Sequence, residues 1–109
     1  MIQLQIYFTI ADEASAAFEA MFAEEYVPAL KKQKGYQNAT LLRIFPPAVA
    51  QEIDAAETDF NYQMELSFDT EADRRRWVAS PEHTVLWPRA QGMAQQVAWR
   101  GYDVVGLGG

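Results

Sequence analysis

Cysteine is absent from this 109-residue chain, and histidine occurs once, at His83. Without thiols, neither disulfides nor thiolate nucleophiles enter the chemistry. One histidine, with carboxylates that do not recur at ligand spacing, leaves no visible metal site. Basic residues are scarce: nine Lys and Arg face fifteen Asp and Glu, a net charge of −6. That balance argues against nucleic-acid backbones and anionic membranes as partners. The single basic cluster, Arg74 to Arg76, reads as a solvated helix face. No apolar run is long enough to span a bilayer and no secretory leader is visible, so the expected compartment is the cytoplasm. The glycine-rich tail, 106–109, is followed by no helix and is not a nucleotide signature. It has no side chains to bury and is expected to fray.

What is present is apolar. Hydrophobic residues make up 50% of the chain, which excludes a disordered polymer. The length suits one domain, residues 1–109, with one core. Residues 2–10 alternate: Ile2, Leu4, Ile6, Phe8 and Ile10 share one face of a strand, and Gln3, Gln5, Tyr7 and Thr9 the other. A helix is expected from an Asp12 cap to about Gln33, with Phe18, Met21, Phe22, Ala29 and Leu30 as its apolar stripe and Tyr26 beside it. Pro28 should disturb its last turns, and Gly35 should close it. Residues 38–45 read as a second strand with apolar groups on both faces, stopped by Pro46 and Pro47.

The centre of the chain is Phe60 to Gln91. Phe60, Tyr62, Met64, Leu66 and Phe68 alternate with polar residues, a strong strand signal. Thr70 with Asp73 resembles a capping box for the helix that follows. Ser80 and Pro81 break that helix and open another, with Ser80 as cap and Pro81 at its first position. His83 and Trp87, four residues apart, share a face of this second segment. Pro88 should kink or restart it. Gln96 to Val105 reads as a last strand, with Val97, Trp99 and Gly101 alternating against Ala98, Arg100 and Tyr102. Residues 46–59 form an acidic loop, either a mobile lid or a surface insertion.

The order β-α-β-β-α-β is the ferredoxin-like arrangement: an α+β sandwich with a four-stranded antiparallel sheet and both helices on one face. The other sheet face would carry Gln3, Gln5, Tyr7, Gln63 and Glu65. With Trp99, Leu41 and Phe45 placed there too, it would be costly to leave in water. The expected solution is a homodimer joined through that face.

Three stretches carry a resemblance: YVPALKKQKGY at 26–36, YQMELSFDTEADRRRWVAS at 62–80 and SPEHTVLWP at 80–88. Together with the element order they resemble the dimeric α+β barrel superfamily, near the antibiotic-biosynthesis monooxygenase-like and EthD-like proteins. The resemblance implies a small-molecule pocket between sheet and helices in each protomer. Its enzymes include cofactor-free monooxygenases acting on polycyclic phenols. Its haem-degrading branch uses an Asn on the first strand, where this chain has Gln3 and Gln5, so no haem or other cofactor is expected.

For a cofactor-independent monooxygenase, the resemblance makes His83 the base that takes a phenolic proton. Trp77, Trp87, Tyr36 and Tyr62 would wall the substrate, a small aromatic or polyketide-like molecule. Arg43 or Asn61 would orient an oxyanion. Two other readings stand beside this one. In the first, the domain holds an apolar ligand without reacting it, as a binding or stress-related module. In the second, His83 packs at the Pro81 break and the tryptophans are simply core.

Overall fold

The computed structural model describes all residues, 1–109. Strand β1 spans Ile2–Thr9, β2 Tyr36–Arg43, β3 Tyr62–Phe68 and β4 Gln96–Asp103. They form one sheet in the order β2-β3-β1-β4, with every neighbouring pair antiparallel. Between β1 and β2 runs a helical layer. It is a short 3-10 turn (Asp12–Ala14), α1 (Ser15–Met21), a π turn (Phe22–Tyr26) and α2 (Val27–Lys31). A short helix, α3 (Pro47–Glu52), occupies part of the acidic connection. Between β3 and β4 lie α4 (Glu71–Ala79) and α5 (Pro81–Gly92). This is the ferredoxin-like fold, a four-stranded antiparallel sheet with its main helices on one face.

Side-chain alternation makes that layering necessary. Register pairs Phe8 with Tyr62 and Ile6 with Met64, so one phase of β1 and one phase of β3 build a single apolar surface. Those four residues are buried, as are Leu66 and Phe68, and they meet Phe18, Met21, Leu30, Trp77, Leu86 and Ala90 from the helices. Each large side chain so buried contributes ~1.5–3 kcal/mol, which is why the helices cannot leave this face.

Local chemistry sets the element ends. Thr70 accepts a hydrogen bond from the Asp73 amide at 3.1 Å, and Ser80 accepts one from the His83 amide at 3.2 Å. Asp12, expected as a cap, lies inside the opening 3-10 turn, and Ala11 stands at the cap position. Pro28 has no amide to donate, and the helix answers with the π turn before it: the Val27 amide bonds back to Phe22. Pro88 neither ends nor restarts α5, which continues to Gly92.

Strand parity departs from expectation at two residues. Trp99 pairs with Ile6 and Leu41 with Met64, so both belong to the helix-covered face. The reason is the bulge in β2 between Tyr36 and Asn38, together with a β4 whose two phases both carry aromatic side chains. The open face instead holds Gln3, Gln5, Tyr7, Gln63, Glu65, Leu42, Arg100 and Tyr102. Its apolar content is smaller than expected.

Candidate functional site

A cavity of about 190 Å³ opens between the β1–β4 side of the sheet and the α4–α5 pair. The sheet contributes Leu4, Ile6 and Trp99. Helix α4 contributes Arg74, Trp77 and Val78; α5 contributes His83 and Trp87; and the π turn contributes Tyr26. An apolar cavity of about 150 Å³ holds benzene, so this one has room for one ring or a compact pair of fused rings.

The break at Ser80 is what assembles the wall. Ser80 Oγ donates to the Trp77 carbonyl at 2.7 Å and accepts from the His83 amide, stitching the end of α4 to the start of α5. His83 thereby lands edge-on to Trp77, with ring centroids 5.1 Å apart, and roughly parallel to Trp87 at 6.2 Å. Trp87 in turn meets Trp99 edge-on at 5.7 Å. Trp77 is almost wholly buried, whereas Trp99 keeps 55% of its surface exposed. One indole is therefore core and one stands toward solvent.

Charge in the cavity is low. Burial among the indoles pushes the His83 pKa below its ordinary 6.5, so the imidazole is neutral at neutral pH. Its side chain has no hydrogen-bond partner within the chain. Arg74 is held by both Glu71 oxygens, at 2.8 and 2.6 Å, and these bonds bring the Glu71 carboxyl down to about 2. The rest of the basic cluster is also paired along its own helix, where Arg75 reaches the same Glu71 at 3.3 Å and Arg76 pairs with Asp73.

Of the residues expected at the site, His83, Trp77 and Trp87 come together here. The others do not. Tyr62 and Arg43 line a separate hollow with Glu19, Phe22 and Leu41. There the Tyr62 hydroxyl and the Arg43 guanidinium both bond Glu19, holding its carboxyl below the usual range. Asn61 is spent on the backbone of Ile10, donating to its carbonyl at 2.8 Å and accepting from its amide at 2.9 Å. Tyr36 packs against Phe68 at 6.3 Å. Neither Arg43 nor Asn61 is placed to orient an oxyanion beside His83. No residue of 46–59 lines the cavity.

Tyr26 and Trp99 complete the site and were not among the expected site residues. Tyr26 meets Trp77 edge-on at 5.6 Å. Its sequence signal is its place two residues before Pro28, where the helix must widen.

Layer order and topology are shared with solved structures that superpose on nearly the whole chain. SnoaB, a cofactor-independent oxygenase from Streptomyces nogalater, matches with a TM-score of 0.75 at 19% identity, over 97% of this chain and 94% of that one. A hydroxynitrile lyase from Passiflora edulis matches with 0.76 at 13% identity, over 93% and 90%. A dabb family protein with a ferredoxin-like fold from Mesorhizobium loti matches with 0.71 at 18% identity, over 96% and 97%. At such identities the likeness establishes the fold, which here hosts both an oxygenase and a lyase. No protein-family model matches the chain, and neither does any curated protein.

Proposed function

We propose that the protein binds a small aromatic molecule in the cavity beside Trp77 and His83 and oxidises it with dioxygen, without a cofactor. The observation that carries this reading is the convergence of three indoles and one neutral imidazole on a single cavity of ring size. The fold shared with a cofactor-independent oxygenase supports it.

In this mechanism His83 accepts a proton from an activated methylene in the ring system of a phenol, breaking that C–H bond and leaving its electron pair delocalised over the rings. The electron-rich anion passes one electron to dioxygen, and the two radicals join through a new carbon–oxygen bond. Breakdown of the peroxide leaves a carbonyl on the former methylene carbon. The second oxygen atom departs as water with the two methylene protons. His83 returns its proton during this step, so the base is regenerated.

Oxygen-electrode measurements on hydroxylated bicyclic aromatics test the idea. Wild type should take up one dioxygen per carbonyl formed, and a folded His83→Ala variant should lose that uptake. Equal turnover by the two proteins would remove His83 from the mechanism.

One observation favours a second reading, a ligand-holding protein without turnover. No carboxylate or carbonyl orients the His83 imidazole, as a strong general base usually requires. Tight retention of the same compounds with no oxygen consumption would select it.

The reading includes a homodimer through the open sheet face. Tyr7 there bonds Gln5 at 2.9 Å and Tyr102 at 3.2 Å, and Leu42, on the far edge strand of the same face, is 41% exposed. Sedimentation equilibrium should give twice the protomer mass; a monomer at micromolar concentration would withdraw this part.

A further inference from the structure

Helix α4 sets one arginine apart from its two neighbours. Arg74 lies three and four residues before Trp77 and Val78, so the three share a helix face, and all three line the cavity. The Arg74 side chain is 26% exposed, against 75% for Arg75 and 53% for Arg76. Sheltering a cation costs desolvation that apolar neighbours do not return, so an arginine on this wall calls for a reason. Nothing else lining the cavity is charged: His83 is neutral, and the other residues are apolar or aromatic.

The ion pair with Glu71 leaves this guanidinium with capacity to spare. Glu71 takes its Nε and Nη2, at 2.8 and 2.6 Å, and Nη1 makes no bond within the chain. The Glu71 oxygen that accepts from Arg74 Nη2 also accepts from Arg75 Nε at 3.3 Å. Arg76 uses Asp73. Three arginines of α4 thus share two carboxylates, an excess of one positive charge. Glu71 does not line the cavity, and no other carboxylate does, so nothing there repels an anion. The two-point contact with Glu71 also holds the guanidinium plane in one orientation, so little freedom is left to lose when a ligand arrives.

We infer that Arg74 is the anion-binding residue of the cavity and that its ligands are aromatic acids, with the ring among the indoles and a ring-borne carboxylate paired to the Arg74 guanidinium. This rests on the reading of the cavity as a ligand site. Arg74 stands on α4 and His83 on α5, and Ser80 fixes the two helices to each other. A ligand anchored by its carboxylate on α4 therefore meets the imidazole with a chosen edge of its ring, which makes Arg74 the specificity-determining residue.

Isothermal calorimetry at neutral pH with 2-naphthoate and 2-naphthamide, its neutral isostere, tests the inference. Wild type should bind the carboxylate about tenfold more tightly than the amide, the usual worth of a hydrogen bond to a charged group. Arg74→Gln should erase that preference, weakening 2-naphthoate about tenfold and leaving 2-naphthamide unchanged. Arg75→Gln removes the same charge from the same helix at a residue outside the cavity, and should leave both affinities unchanged. Three results would each overturn the inference and leave the cavity reading standing. They are equal affinity of wild type for the two compounds, equal losses of both in Arg74→Gln, as contact with the arginine stem alone would give, and equal losses of 2-naphthoate in the two variants. The comparison in wild type decides the matter even where Arg74→Gln does not fold. If wild type bound neither compound, inference and cavity reading would fall together.

Discussion

Gly35 and Asp73 are in such close approach that a Cβ built on the glycine would lie 2.1 Å from Asp73 Oδ2. Gly35 also holds φ at +79°, a region that L side chains avoid. Its carbonyl accepts from the Asp69 amide at 2.8 Å, so the turn after α2 is clamped onto the start of α4. The Asp73 carboxylate is fixed in turn by the Thr70 hydroxyl at 2.9 Å and by Arg76. Gly35→Ala should therefore destabilise the fold by ~2–4 kcal/mol, read as a lowered urea midpoint. An unchanged midpoint would mean that α4 moves aside freely.

Asn61 was expected at the reactive site and instead braces the start of β3 against the end of β1 through Ile10. Asn61→Ala leaves a buried amide and carbonyl short of partners. It should cost ~1–3 kcal/mol in denaturant unfolding. Affinity for aromatic ligands should hold, because no atom of Asn61 lines the cavity. A ligand-binding defect without a stability defect would contradict this placement.

Trp77 and Trp99 serve the same cavity with opposite burial, 1% against 55% exposed. Trp77→Ala opens a void in the core and should cost ~3–5 kcal/mol. Trp99→Ala removes an edge-on contact with Trp87 and should cost only ~1 kcal/mol. Its ligand affinity should nonetheless drop about tenfold, corresponding to ~1.4 kcal/mol of lost ring contact. Paired urea titrations and fluorescence binding curves on the two variants separate packing from recognition.

The contrast between these residues shows how much was legible in the sequence. The period of two in residues 2–10 and 62–68 fixes strand faces unambiguously, because polar and apolar residues never exchange phase. Layer order followed from that, and the pairing of His83 with Trp87 from helical spacing. Strand β4 offers no such contrast: Trp99 lies in one phase and Tyr102 in the other, and only pairing with β1 decides between them. Asn61 and Arg43 have side chains suited to catalysis. Their partners, Ile10 and Glu19, lie 51 and 24 residues away in sequence and are brought close only by folding. Tyr26 was visible as part of an apolar stripe, but the missing partner of its hydroxyl is a property of the packed core.

His83 makes the fold sensitive to mild acid in a direction that can be worked out. Burial lowers its folded-state pKa below 6.5, so the unfolded chain takes up a proton at this imidazole at a pH where the folded chain does not. Stability from this residue is complete above that ordinary value. It is lost as pH falls from there to the folded pKa, and the loss levels off beneath it. His83→Gln keeps a polar side chain of similar reach and has no such titration. Between neutral pH and the carboxylate range, wild type should lose more Tm than the variant, with the difference opening just below the ordinary histidine pKa. Bound aromatic ligand buries the imidazole further and lowers the folded pKa again, so the loss should begin at the same pH and continue to a lower one. Parallel Tm curves for the two proteins would mean that the imidazole reaches water in the folded state, and that it is no poised neutral base.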